Sequence, residues 1–155
     1  MSDHKLDNAV GLLQMIVDEL YDLENSEGDF DFQHMIDNAD EAGRIALSVG
    51  KLYQQVNNGG FCQWIGNGYA EETLDHLEHA FDAIGGGNVA AVRKLVSQAT
   101  AHDVLESLED WDDEDDYGRD VLDHCDAQFY NGIGRNLVVD CATHIVRNFI
   151  LKGAN

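Results

Sequence analysis

Apolar residues recur every three to four positions along nearly the whole chain, and no proline interrupts the pattern. Leu6, Val10, Leu13, Val17 and Leu20 fall on one helical face, closed by "NSEG" at 25–28. Ile45, Val49, Leu52 and Val56 form a second stripe, and Ala70, Leu74, Leu77, Phe81 and Ile84 a third, stopped by "GGG" at 85–87. Asn88 is placed to N-cap a helix carrying Val92, Leu95, Val96 and Ala99. The phase slips near Thr100, where "TAHD" has capping-box spacing with Asp in place of Glu, so a new helix is expected there. Two last stripes are Val121, Leu122, Cys125 and Phe129, then Val138, Cys141, Ile145 and Phe149. No segment alternates as a strand would, and no internal repeat is present. The expectation is an all-α fold, a single compact domain over 1–155 with roughly seven to nine helices.

Size and composition agree with one core. The chain has 155 residues, 44% of them hydrophobic, enough for a single domain and too few for two. No secretory leader and no membrane-spanning apolar run is apparent, so a soluble cytoplasmic protein is expected. Cys62, Cys125 and Cys141 are odd in number, far apart and without a CxxC pair, which predicts reduced, buried thiols.

The stretch "VNNGGFCQWIGNGYAEE" at 56–72 departs from this helical texture. Asn57, Asn58, Gly59 and Gly60 follow an apolar helix and tolerate left-handed backbone, as a helix end requires. Phe61, Trp64 and Ile65 then suit a short amphipathic turn docked on the core, and "GNG" at 66–68 a second corner. Cys62 has no His near it in sequence to act as a base. The stretch therefore reads as a structural corner.

The run "LYQQVNNGGFCQWIGNG", followed by "EETLDHLEHAFDAIGG", resembles the signature of the DNA mimic protein 19 family. The residues that carry the resemblance are Asn57, Asn58, Gly59, Gly60, Phe61, Gln63, Trp64 and Asn67. "LDHCDAQFYN" at 122–131 is similar to a second, weaker block, and the likeness extends over about residues 45–150. Ile65 and Gly68 stand where an aromatic and a Ser are expected. The resemblance implies an all-helical fold and, from the characterised member, a homodimer that occupies the DNA-binding surface of a transcriptional regulator.

Charge bears on function separately. Thirty Asp and Glu against nine Lys and Arg give a formal net charge of −21, so nucleic acid and anionic membrane are excluded as direct partners and basic proteins favoured. No basic residue lies between Lys5 and Arg44, Lys51 and Arg93, or Lys94 and Arg119, so the acids lack (i, i+4) partners. Glu71, Asp75, Glu78 and Asp82 form one acidic row, expected to be unpaired, and Asp18, Glu19, Asp22 and Glu24 crowd a helix C-terminus that disfavours them. The densest block supplies Asp103, Glu106, Glu109, Asp110, Asp112, Asp113, Glu114, Asp115 and Asp116. Carboxylates on rigid helices can meet the cations that otherwise contact DNA phosphates, with no base edge offered. The leading expectation is a non-enzymatic DNA mimic, without cofactor, that binds a basic DNA-binding protein such as a helix-turn-helix regulator and blocks its DNA surface.

Three other readings use the same residues. An immunity-type inhibitor of a basic toxin or nuclease has the same electrostatics, and a generic acidic scaffold or a high-salt proteome explains charge without a partner. A metal-dependent enzyme would need ligands. His76 and His79, a helical turn apart with Glu72 a turn earlier, come nearest, and solvated histidines in an acidic field account for them as well. His124, Cys125, Cys141 and His144 could form a cluster only if the two cysteines left the core, and no frame of the acidic block has EF-hand order. "GGGN" at 85–88 lacks the strand and the Lys-Ser/Thr of a phosphate loop.

Overall fold

The computed structural model describes residues 3–109 and 117–151, and all regular structure within them is helical. The chain runs through α1 (Asp3–Ser26), α2 (Phe32–Asn38), α3 (Glu41–Gly66), α4 (Tyr69–Ile84), α5 (Gly87–Ala99), α6 (His102–Glu109), α7 (Tyr117–Gln128) and α8 (Gly134–Ile145). The segment Phe129–Ile133 joins α7 to α8 through a kink at which Asn131 (φ −83°, ψ 25°) and Gly132 (φ 111°, ψ −20°) leave helical backbone, and a π-helical turn, Val146–Ile150, extends α8.

α3 is the axis. Ile45, Ala46, Leu47, Ser48 and Val49 are consecutive and all buried, a pattern that places a helix inside the protein rather than on it. α1, α4, α7 and α8 pack around it. Its second half brings Phe61 and Trp64 into the main core beside Leu77, Phe81, Leu95, Leu122, Phe129 and Leu137. A smaller cluster, Phe32, Met35, Ile36 and Ala39, covers Leu47 on the α2 side.

The stripes locate most of these helices, and four local details differ. α2 has seven residues, too few for its period to show, and only Asp31 marks it, accepting the Gln33 and His34 amide hydrogens at 3.1 and 3.3 Å. α5 starts after Gly86, so Asn88 lies within the first turn and donates to Asp140 Oδ2 at 2.9 Å instead of capping. The Thr100 hydroxyl bonds back to the Val96 carbonyl at 2.7 Å, closing α5 rather than opening α6. On α1 the buried apolar positions are Ala9 and Leu13, whereas Val10 is 36% exposed.

Candidate functional site

The signature stretch is a break inside α3. Gly59 (φ −154°, ψ 18°) and Gly60 (φ 79°, ψ 178°) leave the helical region, the latter entering backbone that is essentially reserved for Gly. The helix restarts at Phe61, whose N–H donates to Asp126 Oδ1 of α7 at 2.7 Å. Asp126 thus acts as an N-cap supplied by a different helix. Its approach leaves no room for a side chain, because a Cβ on Gly60 would lie 2.3 Å from Asp126 Oδ2. A Cβ on Gly59 would lie 2.0 Å from Gln63 Oε1.

Amides tie the two halves of α3 together. Gln63 and Asn67 donate to Gln55 Oε1 at 3.0 and 2.9 Å, and Asn58 donates to Gln63 Oε1 at 3.3 Å. Phe61 and Trp64 are fully buried and meet edge to face, with centroids 6.1 Å apart. The Tyr130 hydroxyl donates to the Val56 carbonyl just ahead of the break. Asp126 and Tyr130 both belong to the second sequence block, at 122–131, so the two blocks are halves of one joint. Burial raises the Asp126 carboxyl above its ordinary value, the Phe61 N–H opposes that rise, and Asp123 adds to it. Cys62 is exposed at this corner, so the expectation of buried thiols fails there, while Cys125 and Cys141 are buried and their thiols pushed up by desolvation. The Cys62 side chain points outward because its neighbours Phe61 and Trp64 take the core-facing positions.

The carboxylates divide into held and free. On α4 the acidic row is not uniformly unpaired: Arg93 of α5 donates to Asp82 Oδ1 at 2.7 Å, and its Nε lies 3.0 Å from Glu78 Oε2 without hydrogen-bond alignment. The α4–α5 packing brings Arg93 there across the "GGG" corner, a proximity that (i, i+4) counting does not register. Glu71 and Asp75 are exposed and have no ion pair among the described residues. On α1, Asp18 accepts from Gln14 at 2.7 Å, Asp22 is exposed without an ion pair among the described residues, and Glu24 is instead buried against His34 Nδ1 at 2.7 Å. That contact raises the His34 pKa, first through the hydrogen bond and then through the Glu24 charge. Where α2 and α4 begin, Glu72 has its carboxyl raised by burial and then by Asp31 and Glu71, a crowding of like charge from two elements. On α6, Asp103 accepts the Tyr117 hydroxyl at 2.9 Å, Glu106 lies 3.5 Å from the exposed His102, and Glu109 is exposed. Asp110, Asp112, Asp113, Glu114, Asp115 and Asp116 lie outside the described residues.

A family model of DMP19-like proteins matches residues 37–148, from the end of α2 through α8, with both halves of the joint. The chain belongs to the DMP19-like protein family. No curated protein and no solved structure matches it. The match begins at Asp37, so α1 and most of α2 lie ahead of the part that identifies the DMP19-like family.

Within this DMP19-like body four of the five histidines contact a neighbouring side chain. His76 Nε2 is 2.9 Å from Asp37 Oδ1, which lowers the Asp37 carboxyl, and His79 lines the same cleft of about 380 Å³ with Glu41 and Arg44. His124 contacts the Gln128 amide, His144 contacts Asn148, and Cys125 donates to the Leu95 carbonyl at 3.7 Å, so the possible quartet does not assemble. Among the described residues one group could bring three ligand atoms together, Glu24, Glu27 and His34, which the sequence reading did not single out. Asp126, Arg93 and Asp31 were likewise missed, because each acts on an element distant in sequence or on a helix too short to show a period. No described helix is long and apolar enough to cross a membrane.

Proposed function

We propose that this protein is a non-enzymatic DNA mimic that binds a basic DNA-binding protein, of the helix-turn-helix regulator class, and blocks its DNA-contacting surface. Membership of the DMP19-like family supports the reading. The observation that carries it is how the cations are used. Among the described residues, Arg93 is the only Lys or Arg in an ion pair with a carboxylate, and the other ion pairs involve histidine. Arg44 donates to the Ala39 carbonyl, and Lys51 Nζ lies over the rings of Tyr21, Phe32 and Tyr69 at 5.2, 5.8 and 4.9 Å. Among the described residues most acids thus have no Lys or Arg in an ion pair with them.

A carboxylate on a helix, spaced by several ångströms from the next, offers a basic partner what a phosphate row offers. Asp18, Asp22, Glu71, Asp75, Asp103, Glu106 and Glu109 supply that surface from the described residues, with Asp110, Asp112, Asp113, Glu114, Asp115 and Asp116 extending it in sequence. Glu78 and Asp82 contribute less, since Arg93 already partly neutralises them. The decisive experiment is competition for a basic DNA-binding protein recovered with this protein from its native lysate at low salt. Addition of this protein should displace labelled duplex DNA, with affinity falling as salt rises. A stable ternary complex with DNA for every such partner would end the reading, and a recovered toxin or nuclease whose active site is blocked would favour the inhibitor alternative.

A further inference from the structure

Charge alone attracts any cation, so a mimic that selects one basic protein needs a contact that DNA does not offer. α1 and α3 enclose a cleft of about 610 Å³ whose floor is apolar, including Val10, Val17, Tyr53 and Val138. Val10 is 36% exposed although it belongs to the apolar stripe of α1. The lining spans Val10 to Tyr21 along α1 and Gly50 to Asn58 along α3. At about 1.5 Å per residue that is roughly 12–16 Å, the length of two to three helical turns. Gly50 keeps the cleft open, since a Cβ there would meet Val17 Cγ2 at an ordinary 3.9 Å and any longer side chain would project into the space.

The two edges differ in charge. On α1, Asp7, Gln14 and Asp18 stand at i, i+7 and i+11, one flank of the helix, and Asp22 continues it; all four are exposed. On α3 the edge is neutral amide, with Gln54, Asn57 and Asn58, and the Lys51 charge is taken up by three rings and by Gln54 Oε1 at 3.2 Å. Resting on the acidic-surface reading, we propose that this cleft receives an amphipathic helix of the basic partner, its apolar ridge on Val10 and Val17 and its cationic flank on Asp7, Asp18 and Asp22. Charge complementarity on a single edge fixes the orientation of that helix. The apolar floor distinguishes it from other basic segments.

The test uses two labelled peptides of about four turns each, both rich in Lys. One carries Leu along a single helical face, and the other carries Ser at those positions with the same charge. Binding is followed by fluorescence anisotropy at low and moderate salt, with the intact protein. Wild type should bind the Leu peptide about tenfold or more tightly than the Ser peptide. Gly50→Leu, which fills the cleft without changing charge, should erase that preference while leaving Ser-peptide affinity unchanged. Val10→Gln, at an exposed position, should reduce the preference as well and stands in should Gly50→Leu not fold. Equal binding of the two peptides, or a preference that survives both variants, overturns the cleft proposal and leaves the acidic-surface reading intact. Failure of both peptides to bind even at low salt removes both. Self-association of wild type that Gly50→Leu abolishes would assign the cleft to a second copy of this chain and overturn the proposal.

Discussion

Asp126 and Asp75 are both helical aspartates in a strongly acidic chain, and their surroundings are opposite. Asp126 is half-buried, receives the Phe61 N–H at the point where α3 restarts, and approaches Gly60 so closely that no side chain fits between them. Asp75 is exposed on α4 and has neither a hydrogen bond nor an ion pair among the described residues. The first carboxylate caps a broken helix, which offsets part of the cost of its burial, so its removal acts on the fold. The second gains nothing locally and adds to the self-repulsion of the surface, so its removal acts on whatever the surface meets. Residue type says nothing about which of these an acid will be. Neighbours from other helices decide it.

The largest expected effect lies in the core of the joint. Trp64→Ala removes a fully buried indole and should cost about 3–5 kcal/mol, read as a lowered urea midpoint. A variant that kept its midpoint would mean that the joint is not where the fold is anchored. Gly60→Ala should follow at about 2–3 kcal/mol, from backbone strain at φ 79° and displacement of Asp126. A crystal structure of that variant with the Asp126 contact intact would contradict the account of why the glycine is needed.

Asp126→Asn sharpens the comparison through pH. The carboxyl is raised in the folded protein, so ionisation weakens the fold, and its contribution to stability is greatest at low pH and lost as pH rises through the raised value. Wild-type stability, measured relative to Asp126→Asn, should therefore grow as pH falls from neutrality toward the unfolded-state carboxyl value near 3.9. A difference that shrank over that window would show that the Phe61 hydrogen bond outweighs desolvation. His34 has the opposite charge type. Its raised pKa means that the Glu24 contact stabilises below about pH 6.5 and is lost as pH rises through the folded value. Against His34→Gln, the wild type should lead at pH 5.5 and lose that lead in alkaline buffer.

The smallest effect on stability is expected at the free acids. Glu71→Gln with Asp75→Asn should shift stability by no more than about 0.5 kcal/mol, while weakening capture of a basic partner at low salt. Arg93→Met should act in reverse on capture, since it releases Glu78 and Asp82. Unchanged capture in both variants would place the partner contact on another face.

The stripes made the helical class and most of the helices legible, because burial of one helical face forces a 3.6 period whatever the tertiary arrangement. They also marked a helix end at Asn57–Gly60, since two glycines after an apolar helix have few other uses, and the structure breaks α3 there at Gly59 and Gly60. α2 was not legible, with seven residues and a single cap. The exposure of Val10 was not legible either, because the period marks a residue as apolar without saying whether another helix covers it.

By itself the sequence determined a single all-helical domain, its family signature and an excess of acid that disfavours anionic partners. Only the tertiary structure decided which acids are free. Arg93 reaches Glu78 and Asp82 across a glycine corner, His34 reaches Glu24 across a loop, and Asp126 reaches Phe61 from a helix 65 positions away. Coulomb attraction and hydrogen bonding act over a few ångströms of space, and helices that pack on a common axis bring together side chains that the chain itself keeps apart.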